Sequence, residues 1–220
     1  ILHYSAVEGP TYWAPGGVGT GEIGAGFVNV AASNASSYKI TGLVRYYDKL
    51  AAFTPDTVQT WFIDPDPDLI TQSQVLENTG TQCPRSVTQF GDADIFYLEA
   101  SGLRSLRARD SSNAAATTDV GVPIDAILAA KVAQMTTSDK RNVIGLINPT
   151  DKRFWLIMGS EIFIYSYFPS SKVNAWTRYE ATITEGETIT TLSISDALTF
   201  DRHVFLRADD TVYCYGGWSK

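Results

Sequence analysis

Cysteine, histidine and methionine are scarce in this chain of 220 residues, with two of each. Cys83 and Cys214 lie far apart and have no partner at the short spacing of a zinc site, which excludes a disulfide-stapled scaffold and a Cys/His metal centre as organising devices. Two buried thiols without a disulfide are expected, in a chain assembled in a reducing cytoplasm. His3 and His203 lack the i, i+4 spacing of a zinc helix, and no G-x-S-x-G accompanies them, so no metallohydrolase or serine hydrolase is indicated.

Basic residues are outnumbered: 17 Lys and Arg face 24 Asp and Glu, a net charge of −7 with a pI near 4.8. A groove that grips nucleic acid phosphates is not expected from such a chain, although a wall that DNA slides past without sticking is compatible with it. Long apolar runs are absent too. No stretch approaches the ~18 residues of a membrane span, and no charged-then-apolar signal opens the chain. The first residue is Ile1 rather than Met, and the last repeat stops abruptly at Gly216-Gly217-Trp218, so a piece of a longer chain is expected.

Glycines crowd residues 16–26, but they do not make G-x-G-x-x-G, and no Lys-Ser/Thr pair follows as in a P-loop. An irregular connector is the reading. The run Asp64-Pro65-Asp66-Pro67-Asp68 offers alternating carboxylates, yet its prolines stiffen a backbone that a calcium loop needs flexible, and a rigid acidic turn is expected instead. The aspartate box S-x-D-x-G-x-x-W of propeller sialidases is missing, and paired carboxylates are too numerous to single out. No catalytic, cofactor-binding or metal-ligating residue emerges, and the chain is read as a protein that is not an enzyme.

What is present is a repeat. Gly91 to Asp110 reads as an acid, Asp94, then the apolar run Ile95-Phe96-Tyr97-Leu98, a turn at Ser101-Gly102, and a return strand from Leu103 to Ala108 that alternates and is expected nearer solvent. The same order follows Asp48, Asp151 and Asp201, with turns at Pro55-Asp56, Gly159-Ser160 and Asp209-Asp210. The offset from acid to turn is 7, 7, 8 and 8 residues, and the acids are 46, 57 and 50 residues apart. A period of roughly 40–50 residues around a strong hairpin is the signature of propeller blades. A β-sandwich with hairpins of similar length is the alternative.

The predicted fold is therefore all-β: a β-propeller-like array of four-stranded blades with one short helical insertion, in a single domain over 1–220. The insertion falls at about 111–142. Its helix follows Pro123 and carries Ile124, Ile127, Leu128, Val132 and Met135 on one face. Phe96, Leu98, Trp155, Ile157, Ile164 and Phe205 are expected in the core, as are Ile183, Ile189 and Leu192 as inward positions of a Thr- and Ile-rich strand region. Residues 69–85 show little periodicity. Trp176 is read as packing rather than as a sugar platform.

The order Tyr46-Tyr47-Asp48-Lys49-Leu50, strand, hairpin return, then Gly91-Asp92-Ala93-Asp94-Ile95-Phe96-Tyr97-Leu98 and Ser101-Gly102-Leu103-Arg104-Ser105-Leu106 resembles the tail nozzle or tail tubular proteins of short-tailed bacteriophages. So does Gly121-Val122-Pro123-Ile124-Asp125 followed by Asp151-Lys152-Arg153-Phe154-Trp155-Leu156. The resemblance implies an irregular β-propeller and a structural role in the virion tail, assembled in the bacterial host cytoplasm. It further implies a homo-oligomeric ring, a hexamer, around the DNA exit channel, with other tail or adaptor proteins as partners and DNA passing without tight binding. Subunit interfaces are then the functional sites, and the candidates are Asp64, Asp66 and Asp68 in the acidic turn with Ile127 and Lys131 on the helix. A glycan- or receptor-binding module using Trp13, Trp176 and Trp218 is the alternative function.

Overall fold

The structure, a computed structural model, describes residues 2–6, 10–13, 24–30, 39–91, 94–112, 119–168, 173–185 and 187–216. Among the described residues strands account for 53% and helices for 14%, well under the quarter of helix that would contradict an all-β reading. Two compact units divide the chain, Ile1–Gly80 and Thr81–Lys220.

In the first unit, β1 (Leu2–Tyr4) pairs with β2 (Gly26–Val28), and β3 (Gly42–Tyr46), β4 (Lys49–Phe53), β5 (Thr57–Phe62) and β6 (Thr71–Glu77) form an antiparallel meander in chain order. The Pro55-Asp56 turn is closed by Thr54, whose hydroxyl accepts the amide of Thr57 at 3.0 Å. Ala51, Ala52, Phe53, Val58 and Trp61 are buried. β6 was not legible as a strand, because its sequence Thr-Gln-Ser-Gln-Val-Leu-Glu is mostly polar at the sheet edge, where only Leu76 is buried.

The second unit contains three further meanders. They are β7 (Thr88–Phe90), β8 (Asp94–Glu99) and β9 (Gly102–Ser105); β10 (Ile144–Asn148), β11 (Arg153–Met158), β12 (Glu161–Phe168) and β13 (Val173–Glu180); and, after the hairpin β14 (Thr182–Glu185) and β15 (Thr188–Thr191), β16 (Asp196–Phe200), β17 (His203–Ala208) and β18 (Thr211–Cys214). Every pairing is antiparallel, and the strand orders are linear, so among the described residues no sheet closes on itself. Two of the four meanders have four strands and two have three.

The repeated acids mark where the second strand of each meander begins. Asp48, Asp151 and Asp201 lie in the turn before the second strand of their sheets, and Asp94 begins β8. The second turns fall at Pro55-Asp56, Gly159-Ser160 and Asp209-Asp210 as expected, and one residue early, at Ala100-Ser101, in the remaining case. Asp209 and Asp210 both have positive φ, 47° and 60°, the backbone twist that suits a two-residue hairpin.

β11 is buried from Phe154 to Met158 because each of its faces closes a different core. Phe154, Leu156 and Met158 pack with Phe96 and Leu98 of β8, with Phe163 and Tyr165 of β12, and with Leu128 and Val132. Trp155 and Ile157 pack with Ile162 and Ile164 and with Val204, Leu206 and Ala208 of β17. Gly145 lets β10 approach the chain that leads into β7, since a Cβ there would stand 2.6 Å from the Ser86 carbonyl oxygen.

Five expectations need correction. The return strand after Ser101 is not near solvent: Gly102 to Ser105 are all buried, because the insertion folds over them. It also ends at Ser105 and becomes helix α1 (Leu106–Ser112), which starts there because the Ser105 hydroxyl caps the Ala108 amide at 3.2 Å. The insertion holds more than one helix. Besides the expected one, α2 (Asp125–Gln134), there is α3 (Thr137–Arg141), begun by a capping box in which Thr136 and Asp139 exchange side-chain to backbone bonds of 3.2 and 2.9 Å. Of the six predicted core residues five are buried, but Phe205 is half-buried, since β17 turns Val204, Leu206 and Ala208 inward. Ile189 is 69% exposed, because β14 and β15 form a separate two-stranded hairpin with little of it covered.

Candidate functional site

Sheet edges present N–H and C=O groups that need partners. β9 ends the second meander, and its outward amides are met by carboxylates instead of a fourth strand. The amide of Leu103 donates to Asp125 Oδ1 at 3.1 Å, and that of Ser105 donates to Asp119 Oδ1 at 2.9 Å. Gly102, with φ of 135°, is left without a side chain where Asp125 packs against it.

Arg104 ties these acids together. Its guanidinium lies 2.6 Å from Asp125, 3.5 Å from Glu99 and 3.8 Å from Asp119, and it donates to the backbone oxygens of Leu103 and Ser101. Arg109 of α1 approaches Asp119 at 3.3 Å and Glu99 at 3.8 Å. Burial is the leading influence on Asp119 and Glu99 and raises both carboxyls above the ordinary range; the arginines act in the opposite direction.

Asp94 belongs to a second group of bonds on the same hairpin. It accepts the Ser105 hydroxyl, 2.7 Å from Oδ2 and 2.9 Å from Oδ1, and the amides of Ile95 and Arg107 at 2.7 and 3.2 Å. Burial raises its carboxyl, with the Ser105 bond pulling the other way. A raised folded value means that stability is greatest below the unfolded value and is lost as pH rises through the folded one. The native protein should therefore gain stability relative to D94N as pH falls from 7 toward ~4, the ordinary carboxylate value. Urea midpoints of both proteins at pH 7 and pH 5 test this, and a gap that moves the other way would show that burial is not the leading influence.

Beside this hairpin, where the core between the second and third meanders ends, lies a cavity of about 800 Å³. Its inner end is aromatic: Phe90 stacks on Phe96 with ring centroids 4.5 Å apart and 14° between planes, and Tyr165 meets both edge-on. One wall carries Asp94, Ser105 and Arg107, and the other Tyr167, Asn174 and Trp176. Register places Tyr167 opposite Asn174 and Tyr165 opposite Trp176, so the four side chains share one face of β12 and β13. The Trp176 indole N–H donates to the Val120 carbonyl at 2.9 Å, which fixes the ring against the insertion. Trp176 therefore packs, as expected, while also lining the cavity.

The predicted interface residues fall in both units. Asp64, Asp66 and Asp68 occupy the turn between β5 and β6 in the first unit, where the amides of Asp66 and Asp68 donate to the preceding acid's side chain at 2.9 and 3.1 Å. Ile127 and Lys131 stand on α2 in the second unit. Ile127 is 47% exposed, while Lys131 is ion-paired with Glu161, to which Arg178 also binds. Trp13 is exposed, and Trp218 lies outside the described residues, as do Gly16, Gly17, Gly19 and Gly21 of the glycine-rich connector.

Cys83 and Cys214 form no disulfide. Burial pushes the Cys83 thiol up to about 12, which keeps it protonated and unreactive at neutral pH. Among the described residues no group of three His, Cys, Asp or Glu is placed to hold a metal ion, and no helix is long and apolar enough to cross a membrane.

The cavity walls were not legible as a site. The available signal was the i, i+2 pairing of Tyr165 with Tyr167 and of Asn174 with Trp176, which puts each pair on one strand face. Compared with known proteins, the chain matches no family model and no curated protein.

Proposed function

We propose that this chain is a non-enzymatic structural component of a phage virion tail, a nozzle or tail-tube protein that forms part of a ring around the DNA exit channel. The observation that carries this reading is the acid-led hairpin, built four times as consecutive antiparallel meanders in chain order. That is the local arrangement of propeller blades, and it is joined to the likeness of Asp48–Arg109 and Gly121–Leu156 to nozzle proteins. The propeller-like array over 1–220 is part of the same proposal.

Charge supports a conduit wall over a DNA clamp. The net charge is −7, and several of the basic side chains, Arg104, Arg109, Lys131 and Arg178 among them, are already paired with acids of the same chain. Each phosphate contact a protein makes tightens binding and steepens its salt dependence, so a chain in which acids outnumber bases is expected to attach weakly. Fluorescent duplex DNA titrated at low salt should show no saturation below the micromolar range. Sub-micromolar, salt-sensitive affinity would overturn the passive-wall reading. Antibody against the chain should decorate the tail tip of its virion in electron micrographs, and labelling elsewhere or none would overturn the tail assignment.

A further inference from the structure

We infer that the cavity between the second and third meanders is a binding site for an uncharged saccharide, one sugar ring or a short oligomer. Its volume, about 800 Å³, lies within the range of small-molecule sites, and its lining combines flat aromatic surfaces with a few separate polar groups, the composition of such sites. The aromatic surfaces are Tyr167, 49% exposed, and the half-buried Trp176, set on adjacent strands of one sheet face. Rings held in this way offer π-faces to the C–H groups of a pyranose.

The polar groups select the ligand. Asp94 Oδ2 receives only the Ser105 hydroxyl among the described residues and can accept from a ligand hydroxyl. Exposed Arg107 contributes N–H donors, and exposed Asn174, whose side chain also bonds Tyr165, has further hydrogen-bonding capacity. The charged residues of the lining are Asp94, Asp119 and Arg107, and Asp119 is already held by Arg104 and Arg109. A phosphate or carboxylate entering here would meet two acids, whereas an apolar ligand would strip water from Asp94 without replacing its hydrogen bonds. A neutral ring rich in hydroxyls avoids both costs, since it donates to Asp94, accepts from Arg107 and lays its apolar face on tyrosine or tryptophan.

The inference stands apart from the tail assignment, because it concerns the isolated chain. Saturation-transfer NMR with glucose, galactose, mannose, N-acetylglucosamine and their short oligomers should identify at least one saturable binder, and Trp fluorescence should titrate with it at one site per chain. The rim variants Tyr167→Ala and Asn174→Ala, chosen because both residues are exposed, should keep the native circular dichroism spectrum and weaken that binding at least tenfold. Loss of binding in both folded variants supports the site. Absence of any saturable binder in the panel, or binding unchanged by both variants, overturns it, and neither result bears on where the chain sits in a virion.

Discussion

Replacing Arg104 by methionine is expected to lower the stability of the second unit by about 3–5 kcal/mol, the usual cost of removing one partner from a buried ion pair. Arg104 is 7% exposed, and its guanidinium is the common partner of Asp125, Glu99 and Asp119. Methionine keeps the apolar stem but leaves three acids near one another, with Arg109 paired to two of them. The loss should be partly recovered at pH 5, because acids without a cation in a buried place take up protons more readily. Lysine at 104 should be intermediate, since it keeps the charge but cannot reproduce the forked contacts to Asp125 and the Ser101 carbonyl. Urea unfolding at the two pH values measures all of this. R104M within about 1 kcal/mol of the native protein would mean that the network contributes orientation and little stability.

The second large effect belongs to the core. Ile157 of β11 is fully buried, in the cluster with Trp155, Ile164 and Leu206. Ile157→Ala removes three carbons from a packed site and should cost about 2–5 kcal/mol, according to how far the neighbours collapse into the space. Ile189→Ala is the matched control: the same residue type in a strand, but 69% exposed on the β14–β15 hairpin, should change stability by no more than about 0.5 kcal/mol. Thermal or urea unfolding of the two variants gives the difference directly. Similar losses would mean that the exposed hairpin is covered in solution.

The two isoleucines also mark how far the sequence reaches. Both sit in strands, and a period of two says only that neighbours face opposite ways. Whether either face is covered depends on another sheet. For β11 the apolar run Phe154 to Met158 is covered on both sides in the structure. The 182–191 hairpin is largely exposed.

The sequence by itself determined the all-β class, the four acid-led hairpins with their turns to within a residue, α2 and the buried central strands. These follow from contacts between residues a few positions apart: turn residues with suitable φ, alternation along a strand, and an apolar stripe after Pro123. Tertiary structure alone decided that β9 is buried and stops at Ser105, because the amides on its edge are met by Asp119 and Asp125, 14 and 22 residues away from them. It alone assembled the cavity, whose walls come from β8, from the end of β9 and the start of α1, and from β12 and β13. A carboxylate that caps a strand edge has the same sequence signature as one that meets only water, and its partner is set by how the chain returns on itself.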